Sequence, residues 1–274
     1  MGAPMVLRLL TSRHQVWAYN RTSTRLHPLK LAGAQVCDSP AEVASQVDVM
    51  VLMLTDAAAI RSVLAADVPL QGKALIQMGT IAPDDSRALD REFTQRGASY
   101  LEAPVLGSIP EAKSGKLIVM AGATPEQFTR WHSLLACFGP QPIHVGPVGS
   151  AAALKLAMNQ LIGTLTAAFA QSLSLMQKEG IAVDSFMGVL RQSALYAPTF
   201  DKKLKRMTKR NFSDPNFPAK HLLKDMGLFV ETADTLGIDP QVAVAVLNLV
   251  QQAVTAGYGD EDYSSLFEIV HPSS

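Results

Sequence analysis

The chain has 274 residues, 48% hydrophobic and 18% charged, with a formal net charge of +0. That composition excludes a disordered chain, and the balanced charge gives no surface field suited to nucleic acid or an anionic membrane. Two distant cysteines, Cys37 and Cys137, make neither a disulfide framework nor a metal site. No stretch approaches the ~18 apolar residues of a membrane span and no leader pattern opens the chain, so a soluble cytoplasmic protein is expected.

From the start, a helical pattern over Pro4–Leu10 follows Gly2, and apolar runs then alternate with helical ones. Strands are predicted at Gln15–Tyr19, Val47–Leu54, Lys73–Met78, Ser99–Ala103, Lys116–Ala121 and Pro142–Val145. Helices are predicted over Ala41–Gln46, Asp56–Leu64 and Asp84–Gln95. Such alternation implies a mainly parallel sheet covered on both faces, and the run from Val49 to Leu54 suits a strand buried on both sides.

After Val145–Ser150 the pattern changes. A long helix is predicted from Ala151 to about Lys178, with Leu154, Met158, Leu161 and Leu165 on one face. Gly180 ends it, and Asp184 is a candidate cap for the next. Pro218 and Gly237 bracket another helix, Pro240 and Gly257 a further one, and no strand pattern returns. The expected architecture is an α/β Rossmann-type domain over 1–147, lacking its first strand, followed by an all-α domain over 148–274 for substrate binding and dimerisation.

In a nucleotide-binding βαβ unit, an acidic residue after the second strand holds the ribose 2′-hydroxyl. Here Asn20-Arg21-Thr22 stands after the predicted strand Gln15–Tyr19. A guanidinium there suits a 2′-phosphate instead, which points to NADP(H) over NAD(H). The usual Gly-x-Gly and the strand before it are not in the sequence. The expectation is that Met1 is an internal methionine, preceded by about ten residues, one strand and its turn.

Several segments together resemble the β-hydroxyacid dehydrogenase family. Gly2-Ala3-Pro4-Met5 is similar to the end of its glycine loop, and Asn20-Arg21-Thr22 to its NADPH-selecting turn. Gly79-Thr80-Ile81-Ala82-Pro83 resembles its Ser-Thr-x-x-Pro loop, with Gly79 in place of serine. Glu102-Ala103-Pro104-Val105-Leu106-Gly107-Ser108 resembles its substrate loop, with Leu106 in place of a serine that donates to the substrate carboxylate. Gly149-Ser150 with Lys155 and Asn159 resembles the catalytic helix, and Lys224-Asp225 a pair that reaches cofactor and substrate.

The resemblance implies an NAD(P)-dependent oxidoreductase that reduces a small carboxylate-bearing aldehyde (glyoxylate, succinic or tartronate semialdehyde), or runs in reverse. It implies Lys155 as proton donor in a cleft between the two domains, with Asn159 one turn on, holding the carbonyl oxygen or orienting the lysine. Cofactor contacts are expected from Gly2, Asn20, Arg21, Thr22, Met53, Leu54, Thr80 and Lys224. Substrate contacts are expected from Asn159 and the backbone N–H groups of Leu106, Gly107 and Ser108. No metal is expected, and the partners are a small molecule and further copies of the chain, as homodimer or homotetramer. An incomplete glycine loop also permits a non-catalytic binding or scaffold protein of the same fold. An imine reductase, which shares the architecture, is disfavoured by Lys155, and a 6-phosphogluconate dehydrogenase by the chain's length.

Overall fold

The local signals in the first half are those of short capped helices between apolar strands. In the computed structural model, which describes residues 1–272, the chain opens directly in a helix, α1 (Gly2–Thr11). A short strand β1 (Trp17–Ala18) follows, then a 3-10 turn (Ser23–Leu26), helix α2 (His27–Leu31) and strand β2 (Gln35–Val36). Helix α3 (Pro40–Gln46) starts because Ser39 accepts the Glu42 N–H while Glu42 accepts from Asp38 N. Strand β3 (Val49–Leu52) leads to α4 (Ala57–Val63), capped by Asp56 at 2.7 Å from Ala59 N. Strand β4 (Ala74–Gln77) leads to α5 (Pro83–Gln95), which has proline in its first turn with Asp84 and Asp85.

Strands β5 (Ser99–Glu102) and β6 (Val105–Leu106) precede the short helix α6 (Ile109–Ser114). Strand β7 (Ile118–Gly122), helix α7 (Pro125–Leu135) and strand β8 (Ile143–Gly146) complete the alternating part. Two residues each are too few for β2 and β6 to announce themselves by alternation, and neither was expected. Nor were α2, α6 and α7.

The strands form two sheets. β1 pairs with β2 in parallel, and a separate sheet runs β3-β4-β5-β7-β6, with β8 also on β7. The expected mainly parallel order holds for β3-β4-β5 and for β7-β8, whereas β7 is antiparallel to both β5 and β6. The short α6 connection explains the second of these reversals. Returning in parallel takes a crossover of roughly a dozen residues or more.

Alternation along the strands gives the sheet two apolar faces. Met50, Leu52, Leu75 and Tyr100 pack with Ile60, Leu64, Leu89 and Phe93 of the α4–α5 side. Val49, Val51, Ile76 and Leu101 pack with Met5 of α1 and with Leu135 and Phe138 at the end of α7. Those that are fully buried, such as Ile60, Leu75, Ile76 and Leu101, contribute about 1.5–3 kcal/mol each. Trp17 and Trp131 join these clusters as packing residues.

The remainder is helical. Helix α8 (Ser150–Lys178) is followed by α9 (Val183–Gln192), α10 (Pro198–Lys209), α11 (Ala219–Thr235), α12 (Gln241–Ala253) and a π turn over Val254–Tyr258. A 3-10 turn (Tyr263–Leu266) and α13 (Phe267–Val270) follow. The chain divides into compact units Met1–Lys155 and Leu156–Ser274, and the division falls inside α8. The second unit has its own core, built on Phe169, Leu173, Met187, Leu222, Met226, Val246 and Phe267.

Two sequence expectations change here. Asp184 lies in the first turn of α9, whose N-cap is Ala182, so it complements the helix dipole rather than capping. The Leu154–Leu165 stripe is not the core face of α8: Leu154 and Met158 are half-buried and Leu161 and Leu165 exposed, while Lys155, Asn159, Thr166, Ala170 and Leu173 are buried. At Gly163 a side chain would press on Met226 Sδ at 2.9 Å and Val246 Cγ1 at 3.3 Å. Close approach of α11 and α12 there selects the side of α8 that carries Gly163 for burial.

Candidate active site

In a parallel sheet, ligands bind beyond the carboxyl ends of the strands, where the loops open. Most of the predicted cofactor residues of the first unit stand there. Asn20-Arg21-Thr22 follows β1, Met53 and Leu54 follow β3, and Thr80 follows β4. Asn20 Oδ1 accepts from Thr22 N at 2.9 Å, so the turn is held by its own side chain while Arg21 and Arg25 stay exposed. Gly2 is the first residue of α1, and a Cβ on it would meet only Met53 at 3.9 Å, so the position does not demand glycine.

Gly79 does demand it. A Cβ there would fall against the Leu54 carbonyl oxygen, inside the 3.0 Å limit of real Cβ contacts. The buried Gln77 side chain bridges this turn. Its Oε1 accepts from Gly79 N in a short bond, and its Nε2 donates to Gly79 O at 3.2 Å. The backbone therefore approaches so closely that the family's serine has no room.

The loop after β5 differs from expectation. Ser108 N–H and Ser108 Oγ both donate to Glu111 Oε2, at 2.8 and 2.7 Å, in a capping box that starts α6. That N–H is thus engaged by the chain's own carboxylate, and the Leu106 N–H is taken up by the β6–β7 ladder, where Leu106 pairs with Ile118 and Met120 N donates to Pro104 O, which leaves Gly107 as the loop's candidate backbone donor. Gly107 has φ 126°, and a Cβ on it would meet Leu117 Cδ2 at 2.8 Å. Both facts tie this position to glycine.

Lys155 ends the first unit and is buried, at 8% exposure. The start of its helix is fixed by Glu102, a residue to which the sequence reading gave no role. Glu102, 1% exposed at the end of β5, accepts at Oε1 from the N–H groups of Gly149 (2.8 Å), Ala151 (2.8 Å) and Ala152 (3.0 Å). Its Oε2 accepts a short bond from Ser86 Oγ, which lies 3.0 Å from Tyr100 Oη. Burial pushes the Glu102 carboxyl above its ordinary range, and these donors oppose the shift. The sequence signal was an acid at the end of an apolar strand, a position where only a satisfied carboxylate survives.

In the second unit, Asn159 is one turn on from Lys155 along the same face of α8 and is 1% exposed. Its Nδ2 donates to Asp225 Oδ2 at 2.6 Å, and Asp225 Oδ1 pairs with Lys224 Nζ at 2.8 Å. A carboxylate only accepts, so this bond fixes the amide's orientation and turns Asn159 Oδ1 away from Asp225 as an acceptor. His221, also on α11, is held below its ordinary pKa by burial and by the neighbouring Lys220. Among the described residues, no group of three His, Cys, Asp or Glu side chains gathers as a metal site, and no helix is long and apolar enough to cross a membrane.

A dinucleotide-type sheet followed by a helical unit, with the candidate cofactor residues beyond the strand ends, points to the class of NAD(P)-binding oxidoreductases. Residues 1–146 match the NAD-binding domain of 6-phosphogluconate dehydrogenase, and residues 149–270 match the NAD-binding domain of NADP-dependent 3-hydroxyisobutyrate dehydrogenase. Glyoxylate/succinic semialdehyde reductase 1 of Arabidopsis thaliana is 32% identical over 98% of this chain and 95% of its own. The cytokine-like nuclear factor N-PAC of Homo sapiens is 28% identical over 97% of this chain and 49% of its own. The crystal structure of a 3-hydroxyisobutyrate dehydrogenase from Salmonella typhimurium superposes with a TM-score of 0.87 at 26% identity, covering 98% of this chain and 95% of that one. The chain belongs to the β-hydroxyacid dehydrogenase family.

Proposed function

We propose that the protein is an NADPH-dependent reductase of small carboxylate-bearing aldehydes, running in reverse as a hydroxyacid dehydrogenase. The observation that carries this reading is the buried polar pair on α8. Lys155 and Asn159 lie one turn apart, and Asn159 is oriented by the acceptor-only Asp225. Burying an ammonium and an amide in an apolar helix costs stability, and a site that uses them explains their presence.

When bound, the nicotinamide cofactor supplies the reducing equivalents. Lys155 polarises the carbonyl oxygen and protonates the nascent alkoxide. Asn159, with Oδ1 free of Asp225, is suited to orienting that ammonium, whereas a substrate carbonyl needs a donor. Gly107 offers its backbone N–H group to the substrate carboxylate. The Leu106 side chain, in place of a hydroxyl, favours a substrate with apolar carbons beside that carboxylate, as in succinic semialdehyde. Arg21, with Asn20 and Thr22, would hold the 2′-phosphate of NADPH, and Arg25 adds a second guanidinium. No Asp or Glu occurs before Asp38, so nothing in that stretch repels a phosphate. Gly2, Met53, Leu54, Thr80 and Lys224 complete the proposed cofactor set. Large apolar side chains exposed on the helical unit (Leu161, Leu165, Leu236, Ile238 and Val242) favour a homodimer or homotetramer.

The test is loss of NADPH absorbance over a panel of semialdehydes, with Lys155→Ala and Arg21→Ala alongside. Lys155→Ala should abolish turnover while NADPH still binds by calorimetry. Arg21→Ala should raise KM for NADPH and leave that for NADH unchanged. Turnover in Lys155→Ala equal to wild type would remove the lysine from the mechanism. Calorimetric binding without turnover of any aldehyde would favour the scaffold reading.

A further inference from the structure

We propose that Glu102 is a positioning residue, which sets the place of Lys155 by holding the first turn of α8. This rests on the reading of Lys155 as proton donor. The first N–H groups of a helix lack intrahelical partners, and each must be accounted for when buried. In α8 the accounting closes. Ser150 N donates to Pro147 O at 3.0 Å, and Ala153 N to Gly149 O at 3.0 Å. Ala151 N and Ala152 N both donate to Glu102 Oε1, which also accepts from Gly149 N. By helical geometry the Lys155 N–H bonds the Ala151 carbonyl, about 6 Å along the axis. The carboxylate thus grips the peptide from which the lysine is hung.

The same side chain joins three segments of the proposed site. Glu102 begins the substrate loop. Through Ser86 it holds the first turns of α5, which follow the Gly79–Pro83 loop, and through α8 it holds Lys155. Gly122 of β7 is its partner in the sheet, and a Cβ there would meet Glu102 Cγ at 2.7 Å and Cδ at 2.9 Å. The strand next door is left bare so that this carboxylate can lie where it does. The convergence falls on the turn that precedes Lys155.

Positioning and mere stability separate in kinetics. Glu102→Gln retains an oxygen for the three N–H groups, and its amide can donate to Ser86 Oγ. Glu102→Ala leaves all three donors unmet. Gly122→Ala keeps the carboxylate and displaces it. A misplacement of ~1 Å can cost on the order of 100-fold in rate. Glu102→Ala and Gly122→Ala should therefore lower kcat by roughly 10- to 100-fold, with KM for NADPH and the calorimetric binding stoichiometry unchanged. Glu102→Gln should restore most of the wild-type kcat. Should Glu102→Ala fail to fold, Gly122→Ala carries the test. The proposal is overturned if kcat per NADPH-binding site is unchanged in the folded variants, or if Glu102→Gln is as slow as the displaced-carboxylate variant. Wild-type kcat in Lys155→Ala would instead count against the proton-donor reading itself, whatever the Glu102 variants do.

Discussion

Replacing Gly79 by serine restores the residue that the family's Ser-Thr loop carries, and it should destabilise this protein. A Cβ at residue 79 meets the Leu54 carbonyl oxygen inside the 3.0 Å limit, with Gln77 Oε1 at 3.3 Å and the Leu54 carbonyl carbon at 3.4 Å. The obstacle is mostly backbone at the end of β3, which cannot rotate away as a side-chain tip does. Overpacking of this kind costs about 1–3 kcal/mol. At roughly 2–4 °C per kcal/mol for a unit of this size, Tm should fall by about 2–12 °C. Gly79→Ala should cost about as much as Gly79→Ser, because the methyl carbon and not the hydroxyl makes the clash. Gly2→Ala is the counterpart. Its Cβ finds Met53 at a comfortable 3.9 Å at the first position of α1, where stability should change by no more than about 0.5 kcal/mol. Thermal unfolding followed by circular dichroism decides the matter. A Gly79→Ser protein melting with wild type, or a large loss for serine with none for alanine, would refute the steric argument.

Two further outcomes follow from buried charge. Lys203 and Asp262 form an ion pair at 2.8 Å, at 7% and 0% exposure, and the ammonium also lies 4.0 Å from the Tyr263 ring centre. Lys203→Met leaves Asp262 with Arg206 at 3.9 Å and Ser264, so urea unfolding should report a loss of about 3–5 kcal/mol; a loss within error would show that those partners suffice. His221 has its folded pKa depressed by burial and by Lys220. Its contribution to stability is present above its unfolded pKa of about 6.5 and is lost as pH falls through the folded value. His221→Gln should flatten the decline in Tm below that pH, and superimposable Tm profiles would remove His221 as a cause.

The fold was largely legible because its elements carry explicit punctuation. The helices read at Asp56–Leu64 and Asp84–Gln95 both form, one capped by Asp56 and the other with Pro83 in its first turn. What stayed hidden was short or local in its logic. β2 and β6 have two residues each, and the antiparallel turn of β7 depends on a connection length rather than on any residue type. The capture of Ser108 by Glu111 was visible in principle, since serine followed three residues later by glutamate is a capping-box signature. Read only as part of a substrate loop, the segment lost that second meaning.

Helix α8 makes the sharper case. Counting apolar residues placed its core face on Leu154, Met158, Leu161 and Leu165, and that side is the half-buried to exposed one. An all-round apolar helix carries no moment strong enough to choose a side, so the choice falls to shape. At Gly163 the neighbouring helices close in, and a larger side chain at that position would press on Met226 and Val246. The buried face therefore contains Lys155, Asn159 and Thr166, the residues an apolarity count assigns to water. Their burial has to be offset by partners, as Asp225 offsets that of Asn159 at 2.6 Å. Lys155 and Asn159, polar residues in a long apolar helix, thus share their buried side with Leu156 and Leu173, and the candidate active site draws on that side.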